Sequence, residues 1–145
     1  MAATRTATTV WRGSLFEGKG TFTTGTGALG EQEVSWPART EEPGGKTSPE
    51  ELIAAAHASC MSMALSNELA KKDAPPDELR VSATATFDKR EAGFRITRIL
   101  LEVEANVPGI DEATFQQAAE AAKEGCPVSN ALKGNVDIEV DAKLV

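Results

Sequence analysis

The chain has 145 residues, of which 41% are hydrophobic and 26% charged. This composition is typical of a single globular domain, and we expect one domain over residues 1–145. The net charge of -7 argues against a nucleic-acid partner, because phosphate binding needs clustered basic side chains. No apolar run approaches the ~20 residues of a membrane span, and no apolar signal core stands at the N-terminus. We therefore expect a cytoplasmic location and no membrane partner.

The first 36 residues are rich in Thr, Gly and Val. They predict three short strands, around residues 9–16, 20–26 and 33–36, with glycines at the turns between them. Residues 37–47 contain two prolines and two glycines, and this composition predicts an exposed loop.

A long helix is predicted next. Ser48 suits the N-cap, Pro49 the first helical position, and Glu51 is placed to close a capping box with Ser48. The helix should run to about Lys72, because an Ala-Pro-Pro sequence at positions 74–76 stops it. Apolar or small residues occur on every face, so we expect the helix to be covered all round and to allow close approach of a second helix.

Alternation of apolar and polar residues from Leu79 to Phe87 predicts a half-buried strand. Residues 91–93 form a candidate hairpin turn. A second, longer strand should follow over residues 94–107, and a shift in its alternation near Arg98 indicates a β-bulge.

The last third predicts two helices and a strand. Asp111 caps a helix through about Glu124, with Gly125 at its C-terminal cap. Cys126 and Pro127 then open a short helix to about residue 133, and residues 136–144 alternate as a final strand. The order of elements predicts an α+β fold with mainly antiparallel sheets.

The two cysteines, Cys60 and Cys126, are too few for a disulfide scaffold and wrongly spaced for a zinc site. With one histidine in the chain, no metal site is predicted. Cys126 precedes Pro127 at a predicted N-cap, where backbone N–H groups favour a thiolate, but a small residue also suits that cap. Cys60 lies mid-helix, where burial raises the pKa of a thiol. The residues leave two interpretations open: inert buried thiols or a redox pair.

His57 lies one turn before Cys60. The two could form a Cys–His nucleophile pair for acyl transfer. No third group that would orient the imidazole is evident, so a packed, hydrogen-bonded core histidine is the favoured interpretation.

Three segments carry a family resemblance: TSPEELIAAAHASCMSMALS, VPGIDEATF and GCPVSNAL. Together they resemble the OsmC/Ohr family of thiol peroxidases, over essentially the whole chain from TVWRGSLFEGKG onward. GKG and GCPVS are more similar to the OsmC branch. Ser48 stands where the common family form has Asn, and both residues can cap a helix. The resemblance implies mainly antiparallel sheets around a long central helix and a second helix, in an intertwined homodimer.

The resemblance also implies roles for individual residues. Cys60 would be the peroxidatic thiol and Cys126 the resolving thiol. Arg39 matches the arginine that attends the reactive thiol, with Arg12 as the other candidate, and Glu50 matches the glutamate that positions the arginine. No cofactor is implied.

The implied activity is reduction of hydroperoxides, with organic ones preferred, through a sulfenic acid and a Cys60–Cys126 disulfide. An external dithiol of the lipoyl type would reduce the disulfide. Apolar walls for the substrate could come from Met61, Met63 or Phe115. The alternative is a non-catalytic dimer of the same fold that binds a small apolar ligand.

The spacing of two implied site residues predicts a shared site. Ten residues separate Glu50 from Cys60, which is about 15 Å along an unbroken helix. We therefore expect each site to combine Cys60 of one subunit with Glu50 of the other, across a two-fold axis.

Overall fold

The computed structural model describes residues 1–145, which divide into one unit at Met1–Leu52 and a second at Ile53–Val145. No helix of the chain combines the length and the apolar character needed to cross a membrane. The α+β fold class is confirmed: two three-stranded sheets, one of them wholly antiparallel, accompany one long helix and three shorter ones.

The first unit contains an antiparallel sheet in the order β1 (Ala7–Arg12), β2 (Lys19–Thr24) and β3 (Gln32–Val34). Three strands were predicted here, but β1 ends at Arg12 rather than near residue 16. Gly13 follows with φ of +93°, a conformation that ends a strand.

The GKG segment lies against an aromatic ring. The indole of Trp11 packs so closely that a Cβ atom on Gly18 or Gly20 would lie 2.8 Å from it. Glycine at these two positions therefore gives Trp11 room to lie on the sheet.

The predicted loop at residues 37–47 is wrong in its first part, where a short helix, α1 (Trp36–Thr40), is formed. The N–H of Ala38 donates to Oγ of Ser35 at 3.2 Å, and Pro37 stands in the first turn. A serine N-cap followed by an early proline is a helix start, so the sequence did contain the signal. Arg39 is therefore held on a helix and not on a loop.

The long helix α2 (Pro49–Ala70) begins where it was predicted. The N–H of Glu51 donates to Oγ of Ser48 at 3.1 Å, which confirms the N-cap. The capping box is only half formed, because the carboxylate of Glu51 accepts the hydroxyl of Thr47 at 2.7 Å.

One face of α2 is buried and the other is not. The buried residues follow a spacing of four: His57, Met61, Leu65 and Leu69. The exposed residues of the opposite face include Ala55, Ala56, Ser59, Met63 and Ser66. The prediction of a helix covered all round is therefore wrong for the single chain, and an exposed strip of small side chains plus Met63 remains.

The second unit contains a mixed sheet in the order β4 (Glu78–Arg90), β5 (Gly93–Asn106) and β6 (Asp137–Leu144). Strands β4 and β5 form the predicted hairpin, and their register shifts between Thr86 and Phe87. Their partners are Arg98 and Ile96, which leaves one extra residue on β5 and confirms the predicted bulge.

Strand β6 pairs with β5 in parallel, so the chain must cross over between them. The crossover contains α3 (Glu112–Gly125) and α4 (Pro127–Leu132). Asp111 caps α3 as predicted, accepting the N–H of Thr114 at 2.8 Å. Gly125 is still helical rather than the cap, and Cys126 both ends α3 and precedes α4.

The core of the second unit lies between its sheet, α3 and the buried face of α2. The apolar face of α3 is buried in it, as are the inward residues of β5. Its fully buried members include Met61, Leu65, Leu69, Ile99, Leu101, Val103, Phe115, Ala118 and Ala119. This core fixes α2 and α4 next to each other.

Candidate active site

The two cysteines, 66 positions apart in sequence, face each other in the structure. Cys60 comes from the middle of α2 and Cys126 from the junction of α3 and α4, and the two thiols are near enough for each to shift the pKa of the other. Both are free thiols; Cys60 is partly exposed and Cys126 is fully buried. An accessible thiol paired with a sheltered one is suited to forming a disulfide after the first has reacted.

The surroundings push the pKa values of the two thiols apart. Burial raises the pKa of Cys60, and its hydrogen bond to Cys126 raises it further. Burial acts in the same sense on Cys126, but hydrogen bonds from Cys60 and from Ser129, through both its N–H and its hydroxyl, lower the pKa of Cys126 overall. Within this cluster Cys126 is therefore the more acidic thiol.

The position of Cys126 accounts for this difference. It occupies the N-cap of α4, with Pro127 in the first turn, as predicted. Its sulfur does not form a regular side-chain cap, but the N–H groups of Val128 and Ser129 are close enough to stabilise a thiolate. Cys60, in mid-helix, gains such help only from the N–H of Val128.

A cavity of about 330 Å³ opens beside Cys60. Its walls come from α2, α3 and α4, with apolar contributions from Met63, Ala64, Ala122 and Pro127 and polar ones from Asn67 and Glu68. Met63 thus lines the cavity as expected. Met61 and Phe115 belong to the core instead, because they lie on the inward faces of their helices.

His57 is fully buried, and its Nε2 lies 2.8 Å from Oγ of Ser129 on α4. Burial lowers the pKa of His57. The imidazole is therefore a packed, hydrogen-bonded core residue, in line with the favoured interpretation. Sequence reasoning missed Ser129, although its position three residues after the N-cap Cys126 places it on the first turn of α4.

In the first unit, Arg39 and Glu50 form an ion pair with three hydrogen bonds. Nε of Arg39 donates to both carboxylate oxygens of Glu50, at 2.9 and 3.1 Å, and one terminal nitrogen donates at 2.7 Å. The glutamate side chain is 9% exposed and the arginine 29%. A bidentate pair of this kind holds a guanidinium in one plane.

The Arg39 guanidinium also lies over the ring of Trp36, 5.8 Å from its centroid. Aromatic contact and ion pair together restrict the side chain. Arg12, the other arginine considered, is an exposed residue at the end of β1. The structure thus pairs Glu50 with Arg39.

No group of three or more His, Cys, Asp or Glu residues is arranged to hold a metal ion. The titratable groups of the cysteine cluster are the two thiols and His57.

The model of the family described as OsmC-like protein matches residues 42–141. The chain is 44% identical over 133 residues to the protein named Peroxiredoxin OsmC from Escherichia coli, covering 92% of each chain. It is 33% identical over 108 residues to the Organic hydroperoxide resistance protein of Xanthomonas axonopodis pv. citri, covering 73% of this chain and 74% of that one.

The fold also matches a solved structure, the organic hydroperoxide resistance protein OhrB of Bacillus subtilis. The TM-score is 0.76 at 28% identity, over 95% of this chain and 98% of the other. A likeness of this extent confirms the fold expected from the sequence.

Proposed function

Since the chain belongs to the OsmC-like protein family, we propose that it is a cysteine-based peroxidase that reduces organic hydroperoxides to alcohols. The observation that carries the proposal is the facing pair of thiols, one beside a cavity and one buried behind it. Cys60 is the peroxidatic residue and Cys126 the resolving residue.

In the first step, the Cys60 thiolate attacks the distal oxygen of the peroxide. A sulfur–oxygen bond forms, the oxygen–oxygen bond breaks, and the alkoxide takes up a proton to leave as an alcohol. The apolar walls of the cavity at Met63, Ala64 and Pro127 suit the hydrocarbon part of an organic hydroperoxide.

This step needs a cation that the cysteine cluster does not supply. The groups that act on Cys60 raise its pKa on balance, so a thiolate there requires help from elsewhere. A guanidinium beside the sulfur would lower the pKa of the thiol and stabilise the departing alkoxide. Arg39, held in place by Glu50, is the residue assigned to this role.

The arginine comes from the partner subunit in this proposal. Helix α2 is continuous from Pro49 to Ala70, and Glu50 precedes Cys60 by ten residues, about 15 Å of helix rise. A homodimer in which the exposed strip of α2 meets its copy would bring a second chain close to Cys60. Small residues such as Ala55, Ala56 and Ser59 permit such close packing.

In the second step, the Cys126 thiolate attacks the sulfur of the Cys60 sulfenic acid. A disulfide forms and hydroxide leaves, which becomes water when it takes up a proton. The lowered pKa of Cys126 favours the attacking thiolate. A dithiol of the lipoyl type then reduces the disulfide by exchange and is itself oxidised. A reducing compartment such as the cytoplasm would supply that dithiol.

The alternatives are not favoured. A ligand-binding dimer without turnover gives no reason for two thiols of different pKa to face each other. An acyl-transfer enzyme would need His57 beside Cys60 as a base, whereas the Nε2 of His57 is engaged by Ser129.

The test is intact-mass analysis after one equivalent of an organic hydroperoxide, together with peroxide consumption in the presence of a dithiol. The wild-type chain should lose two hydrogens. Cys60→Ser should abolish both the mass change and the consumption, because no other residue attacks the peroxide. Cys126→Ser is the matched control: it should gain one oxygen as a trapped sulfenic acid. Unchanged mass in the wild type, or full activity in Cys60→Ser, would overturn the proposal.

A further inference from the structure

A second pair of side chains, His57 and Ser129, lies beside the cysteine pair, and each of them is three residues away from one of the cysteines. His57 and Cys60 lie three residues apart on α2, and Cys126 and Ser129 lie three residues apart at the start of α4. Residues three apart on a helix share a face. The two helices therefore present two matched contacts, Cys60 with Cys126 and His57 with Ser129.

We propose that His57 and Ser129 are positioning residues for the resolving thiol: His57 holds the hydroxyl of Ser129 as a hydrogen-bond donor to Sγ of Cys126. The inference rests on the proposed function, because it assigns the pair to the second step of that reaction. His57 then has a role beyond packing in the core.

The surroundings of the imidazole determine which partner donates in the contact between His57 and Ser129. Nδ1 of His57 is buried and has no hydrogen-bond partner. A buried N–H without an acceptor is rarer than an unpaired acceptor, so the proton belongs on Nε2. Nε2–H then donates to Oγ of Ser129 across 2.8 Å.

Protonation of the imidazole would place a second, unpaired N–H in the interior. Burial accordingly lowers the pKa of His57, and the residue stays neutral. It acts as a hydrogen-bond donor and not as the base that removes the proton of Cys126.

A serine hydroxyl has one hydrogen and two lone pairs. Once Oγ of Ser129 accepts from His57, its own hydrogen is free to point toward Cys126, which stands three residues earlier at the N-cap of the same helix. Ser129 is 5% exposed and Cys126 is fully buried, so water is a poor substitute for this donor. Loss of His57 would let the hydroxyl turn away from the sulfur.

The His57–Ser129 pair should therefore affect only the second step, in which the disulfide forms. Attack of the Cys126 thiolate on the Cys60 sulfenic acid forms the disulfide and releases hydroxide, and a donor to the thiolate raises the fraction of chains ready for it. Attack of Cys60 on the peroxide does not use this donor.

The experiment separates the two steps by quenched-flow intact mass after one equivalent of an organic hydroperoxide. The added oxygen of the sulfenic acid measures the first step, and the loss of two hydrogens measures the second. Ser129→Ala and His57→Leu should each slow disulfide formation about tenfold, as expected for one hydrogen bond, with sulfenic acid formation at the wild-type rate.

Three comparisons distinguish positioning from a merely structural effect. His57→Gln keeps an N–H donor at a similar reach and should restore most of the rate. The double variant His57→Leu/Ser129→Ala should be no slower than Ser129→Ala alone, since His57 acts through Ser129. Ser62→Ala is the matched control, because that hydroxyl bonds to the carbonyl of Ala58 in its own helix; it should resolve at the wild-type rate.

Wild-type disulfide formation in Ser129→Ala would overturn the inference, as would additive effects in the double variant or equal slowing of both steps. Should His57→Leu not fold, Ser129→Ala and His57→Gln still decide the matter. If the wild-type chain itself forms no disulfide, the proposed function is wrong. If the wild type and Ser129→Ala form the disulfide at the same rate, only the positioning role of the His57–Ser129 pair is wrong.

Discussion

The cysteine cluster of residues 53–145 and the Arg39–Glu50 pair of residues 1–52 stabilise charge in different ways. The cluster uses uncharged donors, namely a thiol, a hydroxyl and backbone N–H groups, and these favour a thiolate on Cys126. The pair joins two full charges through three hydrogen bonds. In the proposed mechanism, neutral donors are enough for the buried resolving thiol, whereas the leaving alkoxide of the first step calls for a cation.

The largest expected effect comes from removing the cation. Arg39→Met should slow oxidation of Cys60 about 100-fold, the usual cost of losing one donor to a developing oxyanion. Rapid-mixing measurement of sulfenic acid formation checks this, with Arg12→Met as the matched control at near wild-type rate. The reverse pattern, with Arg12→Met slow and Arg39→Met fast, would move the role to Arg12.

Mixed dimers test whether the Arg39–Glu50 pair of one subunit meets the cysteine cluster of the other. Cys60→Ser and Arg39→Met chains, each nearly inactive, are unfolded, mixed in equal amounts and refolded together. Half of the dimers would then be mixed, each with one intact site, so activity should recover to about a quarter of wild type. A mixture no more active than the average of its parents would place both parts of each site on one chain.

A smaller effect is expected when the interaction between the two thiols is removed. After burial, the hydrogen bond to Cys126 is the main cause that raises the pKa of Cys60. Cys126→Ala should therefore lower the pKa of Cys60. The pH dependence of alkylation by a small haloacetamide measures it, with Ser62→Ala as the control. A Cys60 pKa that stays or rises would show that the thiols do not interact in this way.

The smallest effect concerns the neutral histidine. Burial holds the pKa of His57 below its ordinary value of 6.5, so the unfolded chain binds the proton more readily. Stability should fall as the pH drops below about 6.5, by at most about 1.4 kcal/mol per pH unit. Denaturant unfolding between pH 7 and 5 measures this slope.

His57 is the one histidine of the chain, so His57→Gln should flatten the stability profile above the range in which carboxylates titrate. An equally steep slope in His57→Gln would assign the loss to other groups.

Local features of the sequence predicted local features of the structure. The caps at Ser48 and Asp111 and the bulge near Arg98 were found because each depends on neighbours within a few positions. The helix that carries Arg39 was missed although Ser35 and Pro37 gave a signal similar to that of Ser48 and Pro49, a serine cap with a proline in the first turn. The glycines and prolines that follow it drew the prediction toward a loop.

Long-range features were harder to predict. The parallel pairing of β5 and β6 depends on the crossover through α3 and α4. Both helices were predicted, but the strand direction was not assigned. The exposure of one face of α2 depends on which elements pack against it, and an apolar pattern on all faces does not reveal which side stays open in one chain.

The sequence by itself determined most of the elements, the N-cap position of Cys126 and, through its motifs, the family. These follow from short-range hydrogen bonding and periodicity, which are written in neighbouring residues. The family resemblance implied that Cys126 meets Cys60 and that Arg39 meets Glu50, but only the tertiary structure located these contacts and showed that Ser129 meets His57. Those contacts join residues that lie on separate elements, and packing of the elements determines which side chains meet.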